Sequence, residues 1–72
     1  MNELTEKQKE VLEYITRFKE VNGYSPSMRE IARGTYTGVT PVHTIMEELK
    51  DKGYIDYKPR QSRTIRVIKF IA

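Results

Sequence analysis

The stretch SMREIARGTYTGVTPVHTIMEELKDKG, Ser27 to Gly53, decides the fold, because it reads as two short helices separated by a tight turn. In its second half, Val42, Ile45, Met46 and Leu49 recur at helical spacing and form one apolar stripe that must pack inward. The opposite face carries Thr40, His43, Thr44 and Glu47, short polar hydrogen-bonding side chains near the start of that helix. In an arbitrary protein such a face is simply solvated. In a helix-turn-helix it is the face presented to base edges in the major groove, so the flanking sequence has to arbitrate.

Upstream, Thr5-Glu6-Lys7-Gln8 has the form of a capping box, with Leu4 at the staple position. Val11, Leu12, Ile15, Phe18 and Val21 follow at helical spacing, and Asn22-Gly23 supplies a left-handed exit. The spacing predicts a first helix over about residues 6–22. Tyr24-Ser25-Pro26 is extended, since a residue before proline is pushed out of the α region. Ser27-Met28-Arg29-Glu30 is a second capping box. It opens a helix of about two turns with Ile31 and Ala32 buried and Gly34 as its stop. The turn from Gly34 to Val39 has Tyr36 as its expected apolar plug. The third helix is expected to start at Thr40-Pro41, a cap residue followed by proline at the first helical position, and to run over about 40–52.

After Gly53 the hydrophobic period changes from helical to alternating. Tyr54 to Tyr57 and Thr64 to Ile68 read as two strands, joined across Lys58-Pro59-Arg60-Gln61-Ser62-Arg63. Three helices followed by a hairpin with a basic tip give a mainly α winged helix-turn-helix, with the whole chain, 1–72, as its single domain. Tyr14 and Tyr24 are expected to pack around the first helix, and Tyr54 and Tyr57 within the hairpin.

Charge is distributed unevenly along the 72 residues, whose formal net charge is +3. Residues 1–31 hold five Lys/Arg against six Glu, whereas residues 32–72 hold eight against four acids. From Tyr57 onward there are five basic residues and no acid, which suits a surface that meets phosphates. The absence of cysteine excludes disulfides and cysteine-based zinc sites, and a single histidine cannot build a metal cluster. No nucleophile-base pair or phosphate-cradling glycine loop is present, so the expectation is a non-enzyme with no metal, cofactor or small-molecule ligand. With no secretory leader and no apolar run near the roughly 18 residues of a membrane span, a cytoplasmic protein is expected.

Taken together, Leu4-Thr5 with Gln8, Val11/Leu12/Ile15, Asn22-Gly23-Tyr24-Ser25-Pro26-Ser27, Arg29-Glu30-Ile31, Val42-His43, Leu49, Lys52-Gly53-Tyr54-Ile55 and Arg63-Thr64-Ile65 resemble the N-terminal DNA-binding domain of LexA-type SOS repressors. The resemblance implies a bacterial or phage transcriptional repressor whose third helix docks in the major groove and whose wing lies on the adjacent backbone. Thr40, His43, Thr44 and Glu47 are then the base-reading candidates. Lys58, Arg60, Gln61 and Arg63 are the wing candidates, with Arg29, Thr35 and Thr37 as further phosphate contacts. Family members pair on inverted half-sites through a second domain, so a homodimer on double-stranded DNA is the expected assembly, with the Ile68 to Ala72 tail as another possible dimer edge.

Two features depart from the family. The turn before the third helix is about one residue shorter and lacks a serine-rich entry, so base preference does not carry over. The sequence also holds no self-cleaving domain, with neither an Ala-Gly scissile bond nor its Ser/Lys dyad. The rival reading is a winged-helix protein-interaction module using Val39, Tyr57 or Phe70-Ile71.

Overall fold

The computed structural model describes residues 4–61 and 63–69. Within them, three helices, α1 (Glu6–Asn22), α2 (Met28–Gly34) and α3 (Val39–Asp51), precede an antiparallel hairpin of β1 (Ile55–Asp56) and β2 (Arg66–Val67). This is the winged helix-turn-helix expected from the sequence. Ser62 and Phe70-Ile71-Ala72, on which some of those expectations fall, lie outside the described residues.

Both capping boxes form. The Thr5 hydroxyl accepts from the Gln8 amide at 3.1 Å while Gln8 Oε1 accepts from the Thr5 amide at 3.0 Å. Ser27 and Glu30 reciprocate in the same way at α2. Each box satisfies two backbone donors that would otherwise lack partners, which fixes where the helix begins. Gly23, at φ 82°, closes α1 in the left-handed conformation. At the end of α3, Gly53 donates to Lys50 O and Tyr54 to Leu49 O, each at 3.0 Å, the paired bonds of a Schellman motif.

Val11, Leu12 and Ile15 of α1, Ile31 and Ala32 of α2, the stripe Val42, Ile45, Met46 and Leu49 of α3, and Ile55 and Ile65 of the hairpin form one buried cluster. Tyr14, Tyr54 and Tyr57 pack around it as expected. Gln8, although polar, is only 4% exposed. Its Oε1 also accepts from Lys52 Nζ at 2.9 Å and its Nε2 donates to Glu48 at 2.8 Å, so the start of α1 is tied to the end of α3.

The structure corrects three expectations about packing and helix bounds. Val21 is 75% exposed and does not join the core, because the α1 positions facing α2 and α3 end at Ile15, with Phe18 only partly covered. Tyr36 is no plug: it is 95% exposed and holds the left-handed position of the turn, at φ 53°. The plug is Thr35, 1% exposed, whose hydroxyl donates to Ile31 O at 2.7 Å. α3 starts at Val39 with Gly38 as its cap, two residues before the Thr40 cap expected. Gly38 O accepts from the Val42 amide at 3.1 Å, and Pro41, in the first turn, lacks only an amide that has no helical partner there. A Cβ on Gly38 would sit 3.2 Å from Pro41 Cδ, so glycine accommodates the proline ring.

The strands are shorter than their alternating pattern suggests. The Tyr57 amide turns to the Asp56 carboxylate at 2.9 Å and the Lys58 amide to the Thr64 hydroxyl at 2.9 Å, so side chains replace the ladder toward the tip. At the other end the Tyr54 carbonyl accepts from both Ile68 and Lys69, a two-against-one pairing that bends the strand away.

Candidate nucleic-acid interface

With Val42, Ile45, Met46 and Leu49 committed to the core, α3 turns Thr40, His43, Thr44 and Glu47 outward, and all four are exposed. Release of Thr40 from capping leaves its hydroxyl available at the second helical position. Among the described residues, no hydrogen bond or ion pair engages the side chains of Thr40, His43 or Thr44.

An open groove of about 780 Å³ separates α3 and the start of α2 from the wing. It brings together His43 and Glu47 with Arg29, Lys58, Arg60, Gln61 and Arg63, residues up to 34 positions apart in sequence. Thr35, Thr37, Thr40 and Thr44 do not line it. The Thr37 hydroxyl donates to Thr35 O at 3.0 Å, and Lys7 Nζ from α1 donates to the same carbonyl at 2.9 Å, which holds the turn against the helix. The side chain of Thr35, a phosphate candidate by sequence, is instead interior. On the groove wall, burial raises the Tyr57 phenol above its ordinary range, with smaller contributions from the charges of Glu47 and Asp51.

The wing tip is a turn over Lys58-Pro59-Arg60-Gln61, closed by the Gln61 amide donating to Lys58 O at 3.2 Å. Proline at its second position and a left-handed third residue, Arg60 at φ 66°, are the features of a type II turn. The arginine occupies a conformation that glycine adopts freely and other residues do not. Among the described residues, neither Lys58 Nζ, the Arg60 guanidinium nor that of Arg29 has a hydrogen-bonding or ionic partner.

Arg63 is placed differently from these three cations. Its guanidinium meets Glu30 at 2.8 and 3.2 Å, donates to Ser25 O at 3.2 Å, and lies 4.8 Å from the centroid of the Tyr24 ring. The Arg63 hydrogen bond is the main reason that the Glu30 carboxyl lies below its ordinary pKa, with the Ser27 amide next. Glu30 is the partner of the wing that sequence reasoning missed, because its local role as a capping-box acceptor accounted for it fully. Nothing near it in sequence signals a partner 33 residues away. Arg66 faces Asp56 across the hairpin at 3.5 Å, so it too is internally paired.

A family model described as the LexA DNA-binding domain matches residues 1–64. The LexA repressor of Thermosipho africanus is 44% identical over 69 residues, which cover 96% of this chain and 35% of that protein. The LexA repressor of Thermotoga petrophila is 45% identical over 73 residues, 99% of this chain and 36% of the relative. That of Staphylococcus epidermidis is 36% identical over 69 residues, 94% of this chain and 34% of the relative. The chain thus spans about a third of the length of the curated relatives it matches.

Proposed function

The chain belongs to the LexA DNA-binding domain family, and on that premise we propose that it binds double-stranded DNA in a sequence-dependent way as the operator-reading part of a bacterial repressor. α3 enters the major groove with Thr40, His43, Thr44 and Glu47 toward base edges. His43, when neutral, donates to a base acceptor; Glu47 accepts from a cytosine amino group. One phosphate strand runs along the groove between α3 and the wing, where Lys58, Arg60, Gln61 and Arg29 meet it. The Thr37 region adds contacts from the turn.

The observation that carries this reading is that His43 and Glu47, from the exposed polar face of α3, share one groove with three cations, Arg29, Lys58 and Arg60, that have no partner among the described residues. Charges that served only solubility would have no reason to converge there. A single module of this size covers roughly 600–1,000 Å² on DNA, so useful affinity calls for two copies on inverted half-sites.

Selection from random duplex DNA tests the reading. Enrichment of a short half-site, bound more tightly than a scrambled duplex, is the expected result. Failure to enrich any sequence, with no salt-dependent binding, would contradict it and favour a protein-interaction module instead.

A further inference from the structure

The wing loop is held in a conformation that its own sequence does not prefer. Arg60 and Arg63 both have left-handed backbones, at φ 66° and 61°, and neither is glycine or asparagine. Such residues are strained and persist only where surrounding contacts over-determine them. Within the hairpin the ladder is two residues long on each strand, and the Thr64 hydroxyl ties the loop to itself, accepting from the Lys58 amide at 2.9 Å and lying 3.1 Å from Gln61 O. Those bonds shape the loop but do not anchor its tip to the helices; Arg63 does. Its guanidinium forms a two-bond fork on Glu30 at the first turn of α2, reaches the Ser25 carbonyl in the α1–α2 connection, and covers the Tyr24 ring. Three groups outside the wing, on α2 and the α1–α2 connection, therefore hold one wing side chain.

We propose that the Arg63-Glu30 pair is a clasp that sets the position of the wing against α2, and that Arg63 acts on DNA only through Lys58 and Arg60, which it presents to the strand in the groove. This rests on the DNA-binding reading above. Arg63 is thereby a positioning residue and not one of the phosphate contacts. The planar fork matters, because a lysine carries a point charge and cannot bridge both carboxylate oxygens with the same geometry. Glu30 serves two purposes with one carboxylate: Oε1 accepts both from the Ser27 amide at 2.8 Å and from Arg63. The start of the helix-turn-helix and the wing are thus coupled through a single side chain.

Glu30→Gln separates the possibilities by sign. Glutamine keeps the capping-box acceptor, so α2 retains its start. If Arg63 were a phosphate contact, removing the nearby negative charge and releasing the guanidinium would raise DNA affinity. The clasp requires the opposite, a severalfold loss for Glu30→Gln, although a negative charge has been removed. Arg63→Gln and Arg63→Lys lose affinity similarly, and the loss vanishes in a Lys58→Gln/Arg60→Gln background, where no wing cations remain to be positioned. A direct contact would instead add to the loss from Lys58 and Arg60, lowering the salt slope by about 0.9 even in that double-variant background.

The second measurement needs no DNA. Amide heteronuclear NOE values at Lys58, Arg60 and Gln61 should fall in Arg63→Gln and Glu30→Gln while those of the three helices hold. Unchanged wing values, or tighter DNA binding by Glu30→Gln, would overturn the clasp. Absence of DNA binding by the wild-type chain would instead defeat the functional reading, with the NOE measurement still deciding whether the clasp exists.

Discussion

The ring of Tyr14 lies against the Cα of Gly34 so closely that a Cβ there would overlap Cε2 and Cζ of the tyrosine. Gly34 ends α2, yet no left-handed conformation explains it; that role falls to Tyr36 two residues later. Glycine is needed here because α1 and the end of α2 approach through this contact. Gly34→Ala would ordinarily gain about 1 kcal/mol of helix propensity. Overpacking against the ring should win and destabilise the domain by about 1–3 kcal/mol, measured by urea unfolding. A Tyr14→Leu background should remove most of that cost. An unchanged or raised midpoint for the single variant would contradict the packing account.

The Arg63-Glu30 pair makes stability depend on pH in a defined direction. Because the folded-state carboxyl of Glu30 lies below its unfolded value, its contribution is present above the unfolded value and is lost as pH falls through the folded value. The difference in thermal midpoint between wild type and Glu30→Gln should therefore be largest near neutrality and shrink as the solution is acidified through the carboxylate range. Thermal scans across that range check it, and a difference that grows on acidification would have the wrong sign.

Arg60 sets backbone comfort against charge. Arg60→Gly relieves a left-handed arginine at φ 66°, so stability should hold or rise, by up to about 1 kcal/mol. DNA affinity should fall nonetheless, with the slope of log affinity against log salt shrinking by about 0.9 from a wild-type value of about −2.7 for the three groove cations of one bound copy. A stabilised variant with undiminished affinity and slope would exclude a phosphate role for Arg60.

The α3 face should govern discrimination more than general affinity. His43→Ala and Thr44→Ala are expected to cost about 1–3 kcal/mol each on an enriched duplex and little on a scrambled one. Titrations on both duplexes read the difference. Equal losses on the two would make these residues backbone contacts, not base readers.

The features legible from sequence were those set by neighbouring residues. Both capping boxes, the bounds of α1, the four-residue stripe of α3 and its end near Lys52-Gly53 follow from residues spaced within a turn or two of each other. The misread features are tertiary. Val21 keeps helical spacing with Ile15 and Phe18, but no second helix covers that end of α1. Thr40-Pro41 is a sound local start, displaced because Gly38 admits the proline ring. Tyr36 and Thr35 exchanged expected roles because the small threonine satisfies its hydroxyl inside α2 while the backbone turns the tyrosine outward. At the candidate interface, spacing alone placed the α3 face, whereas the engagement of Arg63 by Glu30 required the folded chain.

The most direct test of the account is to titrate the isotopically labelled domain with the enriched duplex and map amide shifts by NMR. The largest shifts should fall on Val39 to Glu47 and on Lys58 to Gln61, leaving the exposed Glu13, Arg17 and Glu20 of α1 unmoved. Shifts concentrated on that face of α1, with α3 and the wing silent, would contradict the proposed interface.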